Sequence, residues 1–317
     1  MESADESAPD DTATGPGAAT ALAARYGVPA GQVRALPSGG ANRVFLLGDG
    51  LVLRMPRTRE AAAGLRKEAE VVPVARAAGV RTPEIVAFED GDGSETDVPH
   101  MVVRRAAGRD MSVLALPESE AHRVLRQVGR ELAKLHRQSP ERDELPGVPV
   151  DDAPEDPRLL VARLLDGGWL DSGTARWLTG WFGRLAARLP ADPPRVLLHG
   201  DIAPQNLLVA ASPARLSAVV DWGDAMWADP AAEFAKIPLG GVPAMLDGYR
   251  QEAGEPAGQG DWEARVLWHH LTWALGRLPD PVPRPGERHW TAPPASRLLG
   301  LLRFFAAGPP PPWPALA

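Results

Sequence analysis

Two short polar motifs, each directly after an apolar run, constrain most strongly how this chain can fold. HGDIAPQN occupies residues 199–206, and DW follows at residues 221–222. Because proline excludes a regular helix, residues 206–209 are predicted to form a strand, residues 211–214 a turn and residues 216–220 the returning strand. Such a hairpin would bring Asn206, at its start, beside Asp221, at its end.

The polar side chains of these motifs suit a hard cation and a phosphate group. Mg²⁺ prefers oxygen ligands and usually takes one or two carboxylates, with phosphates and water completing the set. Asn206 and Asp221 form a fitting pair, and Asp201 lies five residues before Asn206. Asp and Asn also favour ordinary turns and strand ends, which is the competing interpretation of either motif alone. Both motifs in this order and spacing are hard to obtain by accident.

On these motifs the chain resembles the aminoglycoside phosphotransferase family of antibiotic and small-metabolite kinases, whose signature is HGDxxxxN followed by (I/V)DW. The resemblance implies an α+β, protein-kinase-like fold, with a small β-rich lobe, a larger helical lobe and a nucleotide cleft between them. It also implies that Asp201 is the catalytic base and that Asn206 and Asp221 bind Mg²⁺. The family's common histidine two residues beyond HGD is Ala203 here, which obscures the subgroup rather than the chemistry.

The sequence before this region offers a phosphate-binding loop. Residues 38–46 (SGGANRVFL) are predicted to be a loop of small residues entering a strand, and GDG at residues 48–50 is a hairpin turn before the strand at residues 51–55. Backbone N–H groups without bulky side chains can lie over nucleotide phosphates. Gly39, Gly40 and Asn42 are therefore the predicted contacts, although two glycines more often mark a plain turn.

A cation and its partner complete the nucleotide site that the resemblance implies. Arg54 stands where protein kinases carry lysine, and Glu68 on the next helix is its expected partner, with Glu70 as the alternative. Arginine can grip a phosphate bidentately. The competing interpretation leaves both side chains solvated on the surface. The strand near residues 100–105 is expected to enter the hinge, where the backbone at Val103 and Arg105 would lie against adenine.

Acidic and aromatic residues after the DW motif are the predicted acceptor site. Asp224 and Trp227 are its leading members. Trp268 and Trp273 lie on a helix predicted over residues 261–275 and are further members, although a Trp stripe at helical spacing is more often core. Asp229 precedes a proline and is predicted to cap a helix rather than to contact substrate.

The chain is predicted to divide into four segments. Residues 1–20 are expected to be disordered, residues 21–107 to form the nucleotide-binding lobe, residues 108–306 the catalytic and acceptor-binding lobe, and residues 307–317 a proline-rich tail. The tail is expected to extend over the surface, with binding to a proline-recognising partner as the alternative. Apolar residues spaced by three or four over residues 125–136 predict an amphipathic helix. His136 ends it and is expected to pack rather than to catalyse.

Composition excludes several other classes. The 317 residues contain no cysteine, so disulfides and thiolate zinc sites are excluded, and the seven histidines show no HExxH pattern. A net charge of −7 disfavours a nucleic-acid partner. No apolar stretch is long enough to span a membrane, and residues 1–19 lack the basic start and apolar core of a targeting peptide. We expect a cytoplasmic protein.

Together these features predict a kinase that moves the γ-phosphate of ATP or GTP to a hydroxyl of a small molecule, with Mg²⁺ as cofactor. By resemblance the acceptor is an antibiotic, which would make the protein a resistance or self-protection enzyme. Two alternatives stay open. One is a kinase of a primary metabolite such as choline, a sugar or homoserine, and the other is a non-catalytic pseudokinase that binds nucleotide.

Overall fold

The computed structural model describes residues 15–36, 41–91, 98–137, 141, 144–151, 154–211, 213–254, 261–281 and 294–317. These residues form a small lobe built on one antiparallel sheet and a larger, mainly helical lobe. The predicted α+β architecture, with a small β-rich lobe and a larger helical lobe, is confirmed. Among the described helices, none is both long and apolar enough to cross a bilayer.

The small lobe is a five-stranded sheet with two helices. Its elements are α1 (Pro16–Arg25), β1 (Val33–Leu36), β2 (Asn42–Leu47), β3 (Leu51–Pro56), α2 (Arg59–Ala77), β4 (Ile85–Glu89) and β5 (His100–Arg104). The strand order is β1-β2-β3-β5-β4, and every neighbouring pair is antiparallel. Leu47 pairs with Leu51, so residues 48–50 form the predicted hairpin turn.

The first helix corrects the predicted boundary of the disordered segment. Residues 16–20 are helical, and Ala19 and Ala23 are completely buried against the sheet. Pro16 suits the first helical position because its missing N–H would have had no partner there. The periodic signal was weak because small alanines, rather than large apolar residues, make the buried stripe.

The larger lobe contains most of the helices. Its elements are β6 (Arg109–Asp110), α3 (Glu118–Arg137), α4 (Pro157–Asp166), α5 (Ser172–Ala186), β7 (Val196–Leu198), β8 (Leu207–Ala211), β9 (Ala214–Val219), β10 (Met226–Ala228), α6 (Val242–Ala253), α7 (Trp262–Gly276) and α8 (Pro294–Ala306). β6, β8 and β9 form one antiparallel sheet, and β7 pairs with β10. β8 and β9 are the predicted hairpin.

Helices α3 and α6 pack closely at the centre of this lobe. A Cβ added to Gly248 would lie 1.9 Å from the carbonyl oxygen of Arg126, so only glycine permits this separation. At the end of α3, His136 is buried, with Nδ1 3.0 Å from the hydroxyl of Tyr249 on α6. The predicted packing role of His136 is therefore confirmed.

The C-terminal segment is docked rather than extended over the surface. Trp313 and Leu316 are 2% and 3% exposed and belong to the core of the larger lobe. The indole N–H of Trp181 donates to the carbonyl oxygen of Leu316, and the rings of Trp313 and Phe304 meet edge to face at 5.4 Å. The proline content suggested extension, but burial of these two apolar side chains outweighs that tendency.

Candidate functional site

A tight loop after β7 carries the predicted catalytic carboxylate. Gly200 has a φ of +80°, and a Cβ at this position would lie 2.0 Å from the carbonyl oxygen of Asp224. The residue before Asp201 must therefore be glycine, both for its left-handed backbone and for the close approach. The loop then turns through Pro204–Asn206, a short 3₁₀ helix, into β8.

Asp201 and Asn206 are in direct contact. The Nδ2 of Asn206 donates to Asp201 Oδ2 at 2.6 Å and to the Asp201 carbonyl oxygen at 2.9 Å. The N–H of Val220 donates to the carbonyl oxygen of Asn206 at 3.0 Å, which extends the hairpin pairing to the residue before Asp221. The hairpin thus brings the two motifs together, as predicted from their spacing.

The His199 side chain contacts the backbone of both polar segments, at Asp201 and at Val220. Its buried ring accepts the N–H of Asp201 at Nδ1 (3.1 Å), and its Nε2 lies 3.1 Å from the carbonyl oxygen of Val220. The tautomer that satisfies both contacts carries its proton on Nε2. The ring also packs on Trp222 at a centroid distance of 4.5 Å. His199 therefore orients the backbone on both sides of the site.

Two acidic residues after β10, Asp229 and Glu233, accept hydrogen bonds from backbone N–H groups of the larger lobe. Asp229 accepts the N–H of Ala231 at 2.8 Å and so caps the 3₁₀ helix Pro230–Phe234, which confirms the predicted capping role. Burial disfavours its charge, but His269 and Arg265 outweigh that effect and hold the pKa of Asp229 well below its usual value. Glu233 is 2% exposed, and its Oε1 accepts the N–H groups of His199 and Gly200.

Arg54 connects the small lobe to the second motif. Its Nη1 donates to both carboxylate oxygens of Glu68, at 2.6 and 2.5 Å, and its Nη2 donates to Asp221 Oδ1 at 2.7 Å. The structure forms the predicted pair with Glu68 rather than with Glu70. Burial disfavours the guanidinium charge, but the carboxylates of Glu68 and Asp221 outweigh it and hold the pKa of Arg54 above its ordinary value.

Asp221 has an unusual backbone. Its φ of +71° and ψ of +70° place it in the left-handed region, where no other non-glycine residue of the described chain lies. Such a conformation costs on the order of 1 kcal/mol and persists where the surroundings enforce it, often at functional sites. Its carboxylate is half exposed towards the space between the lobes.

That space is a cleft of about 730 Å³ between the lobes. Its lining includes Asn42, Arg54, Glu68, Asp221 and Asp224, all of which the sequence singled out. The Oδ1 of Asn42 is buried and has no hydrogen-bond partner within the described ranges. The cleft lining therefore combines charged side chains with one hydrogen-bond acceptor, the Asn42 Oδ1, that has no partner among the described residues.

The predicted loop and hinge contacts are only partly described. Gly39 and Gly40 lie outside the described residues. Val103 is a buried residue of β5 and pairs with Val52, two residues before Arg54. The N–H of Arg105 donates to the carbonyl oxygen of Gly50 at 2.9 Å. The backbone N–H of Arg105 therefore already has a partner in the turn before β3.

The three predicted acceptor tryptophans do not gather at the cleft. Trp227 is 2% exposed in the core, on the strand that pairs with β7, so we remove it from the acceptor set. Trp268 packs edge to face on Phe182 at 5.2 Å. Trp273 lies under the guanidinium of Arg297 at 5.1 Å. These contacts show the apolar stripe packing within the protein, which is the common role of such residues.

Lys236 is a site residue that the sequence did not single out. Its Nζ lies 2.7 Å from Asp201 Oδ1, 2.9 Å from the carbonyl oxygen of Gly200 and 3.8 Å from Asp224 Oδ2. One signal was present, because only three of the 34 basic residues are lysines. Of those, Lys67 lines the cleft and Lys236 contacts the loop, while Lys134 pairs with Glu131 on α3.

No three His, Cys, Asp or Glu side chains of the described ranges cluster so that they could hold a metal ion by themselves. Asn206 and Asp221, the metal ligands that the family resemblance implies, stand at the two ends of the β8–β9 hairpin. Since the Asn206 Nδ2 is engaged by Asp201, its Oδ1 is the atom left to act as a ligand.

A family model described as "APH: Phosphotransferase enzyme family" matches residues 32–268. A search of curated proteins found no match to this chain.

Three solved structures illustrate the fold similarity. The GDP complex of wild-type aminoglycoside 2'-phosphotransferase-IIIa has 21% identity and a TM-score of 0.65, covering 87% of this chain and 92% of that chain. The streptomycin–ATP–APH(2")-IIa ternary complex has 16% identity and a TM-score of 0.57, covering 88% and 91%. Macrolide 2'-phosphotransferase MphH from Brachybacterium faecium, as the apoenzyme, has 22% identity and a TM-score of 0.56, covering 82% and 90%. At these identities the likeness shows a shared fold.

Proposed function

Since this chain belongs to the phosphotransferase enzyme family, we propose that it moves the γ-phosphate of ATP or GTP to a hydroxyl of a small molecule. The observation that carries this proposal is the contact of both motifs with one another and with the small lobe. Asn206 holds Asp201, while Arg54 joins Glu68 to Asp221 at the cleft. The nucleotide complexes of similar structures support a nucleotide as phosphoryl donor.

Within this site Asp201 is the base. The acceptor oxygen forms a bond to the γ-phosphorus, the bond from that phosphorus to the bridging oxygen breaks, and the hydroxyl proton passes to the carboxylate of Asp201. The nucleoside diphosphate leaves with the bridging oxygen. Because Asp201 is held on one oxygen by Asn206 and on the other by Lys236, its position is set before the acceptor binds.

Asn206 and Asp221 are suited to hold Mg²⁺. Both offer hard oxygen ligands, and the absence of a three-acid cluster in the described chain agrees with a metal that depends on nucleotide phosphates for its other ligands. When bound, Mg²⁺ neutralises phosphate charge. Arg54 supplies a fixed positive charge at the same place, and Asn42 offers an acceptor for a donor group of the nucleotide.

For the acceptor we propose an antibiotic, which would give the protein a role in resistance or self-protection. The support is that the proteins of similar structure are aminoglycoside and macrolide phosphotransferases. Asp224 is the acceptor residue that stays in this proposal, because it lines the cleft and lies close to Lys236. Since nucleoside triphosphates are abundant in the cytoplasm, we propose that the protein acts there.

Incubation with ATP or GTP, Mg²⁺ and a panel of acceptors tests the proposal. The panel contains aminoglycosides, macrolides and primary metabolites such as choline and homoserine, and mass spectrometry detects a product that has gained one phosphoryl group. A phosphorylated antibiotic would support the full proposal. Phosphorylation of a metabolite alone would replace the antibiotic role with the metabolite-kinase alternative. Nucleotide binding without transfer to any acceptor or to water would favour a pseudokinase.

A further inference from the structure

Lys236 holds the base from the side opposite Asn206. Its ammonium lies 2.7 Å from Asp201 Oδ1, while Asn206 Nδ2 lies 2.6 Å from Asp201 Oδ2. Both carboxylate oxygens are therefore hydrogen-bonded, each by a different part of the larger lobe. A carboxylate fixed at both oxygens has little freedom to rotate about its side-chain bonds.

The surroundings of Lys236 distinguish this contact from an ordinary surface ion pair. The Lys236 and Asp201 side chains are 21% and 20% exposed, and the ammonium also donates to the carbonyl oxygen of Gly200 at 2.9 Å. Ordering a long lysine side chain costs rotamer entropy, which a single exposed ion pair does not offset. Two simultaneous, partly buried contacts on one loop make the ordered side chain reasonable.

The choice of lysine also fits the geometry. The chain uses arginine for nearly all of its basic residues, yet lysine stands here. An ammonium is compact and has three donors that point in separate directions, whereas a guanidinium presents a planar fork suited to one bidentate partner. Lys236 Nζ donates to two separate acceptors, the Gly200 carbonyl oxygen and the Asp201 carboxylate, so independent donors suit this position better than a planar fork.

We propose that Lys236 is a positioning residue that holds Asp201 in the orientation that receives the acceptor proton. The proposal rests on the proposed function. It assigns Lys236 a role in turnover rather than in nucleotide binding, since its ammonium contacts the loop and Asp224, whereas Arg54 and Glu68 face the nucleotide side.

The test compares Lys236→Met and Lys236→Arg with the wild type. Turnover is measured with the best acceptor of the panel, or as ATP hydrolysis by water if no acceptor is found, and nucleotide affinity by titration. We expect Lys236→Met to lower kcat by about 10- to 100-fold, because small misplacements of a catalytic group cost this much. Nucleotide affinity should stay within about twofold. Lys236→Arg should recover part of kcat, and the matched control Lys134→Met, on α3, should equal the wild type.

A double-mutant cycle separates positioning from direct contact with substrate. If Lys236 acts through Asp201, adding Lys236→Met to Asp201→Asn should lower the residual rate by less than about threefold. The same loss in both backgrounds, or wild-type kcat in Lys236→Met, would overturn the proposal while leaving the proposed function intact. If the wild-type protein transfers phosphate neither to an acceptor nor to water, the proposed function fails and this proposal fails with it.

Discussion

Replacing Glu233 with alanine tests what holds the catalytic loop in place. The carboxylate is 2% exposed and accepts the N–H groups of His199 and Gly200, the two residues before Asp201. In Glu233→Ala the buried N–H of His199 loses its partner. The backbone that carries Asp201 is then free to move, while the contacts of Arg54 and Glu68 in the small lobe are untouched.

The size of the effect follows from these contacts. A hydrogen bond to a charged group contributes about 1.5–3 kcal/mol, and an unsatisfied buried N–H costs a similar amount. The Gly200 bond is 3.4 Å long and adds little. We therefore expect a loss of about 3 kcal/mol in the free energy of unfolding. At about 2.1 cal/mol/K of unfolding entropy per residue, this lowers Tm by about 4–5 °C for 317 residues. Turnover should fall at least about tenfold because Asp201 is misplaced.

Urea unfolding, nucleotide titration and turnover are measured on the same preparations. The matched control is Glu263→Ala, which removes another largely buried glutamate of this lobe, one that pairs with Arg250 at 2.8 and 2.9 Å. The control should lose comparable stability but keep its turnover within about twofold, because its contacts do not reach the loop. Equal turnover losses in both variants, or wild-type stability in Glu233→Ala, would show that Glu233 does not hold the catalytic loop.

Two further predictions concern stability. Gly248→Ala should lower the free energy of unfolding by about 3 kcal/mol in chemical denaturation, since its Cβ would overlap a carbonyl oxygen. Gly183→Ala, with open space around it, should raise the free energy of unfolding by up to about 1 kcal/mol. Equal effects of the two substitutions would show that α3 and α6 do not require glycine at position 248. Burial, aided by Arg297, lowers the pKa of His270 from 6.5 to about 4. Its neutral form is favoured in the fold, so stability should fall by about 3 kcal/mol between pH 6.5 and 4, and His270→Gln should remove this slope.

The parts of the site that were predictable are those defined by local spacing. Proline at the loop and a turn at residues 211–214 predicted the β8–β9 hairpin, and the hairpin alone brings Asn206 beside Asp221. The Arg54–Glu68 pair was implied by the family resemblance, and it joins β3 to α2, the next element in the chain. In each case two elements adjacent in sequence determine the contact.

Contacts between distant elements were not predictable in the same way. Lys236 reaches Asp201 across 35 residues and Glu233 reaches His199 across 34, and both depend on how the segment after β10 folds back on the loop. Trp227 is the opposite case, because it was predicted to line the acceptor site and is instead buried. It follows the site in sequence, but its strand β10 pairs with β7 and its side chain is buried in the core. Burial of Trp313 and Leu316 likewise depends on a surface formed by remote helices.

We propose that Asp201 serves the acceptor hydroxyl, whereas Asp221 serves the metal-bound nucleotide. Calorimetric titration of ATP in the presence of Mg²⁺, paired with turnover, tests it on Asp201→Asn and Asp221→Asn. We predict that Asp201→Asn binds nucleotide within about threefold of the wild type but loses at least about a thousandfold in turnover, because only the proton acceptor is removed. Asp221→Asn should lose both binding and turnover. Equal nucleotide affinity and equal turnover in the two variants and the wild type would show that neither carboxylate has its proposed role.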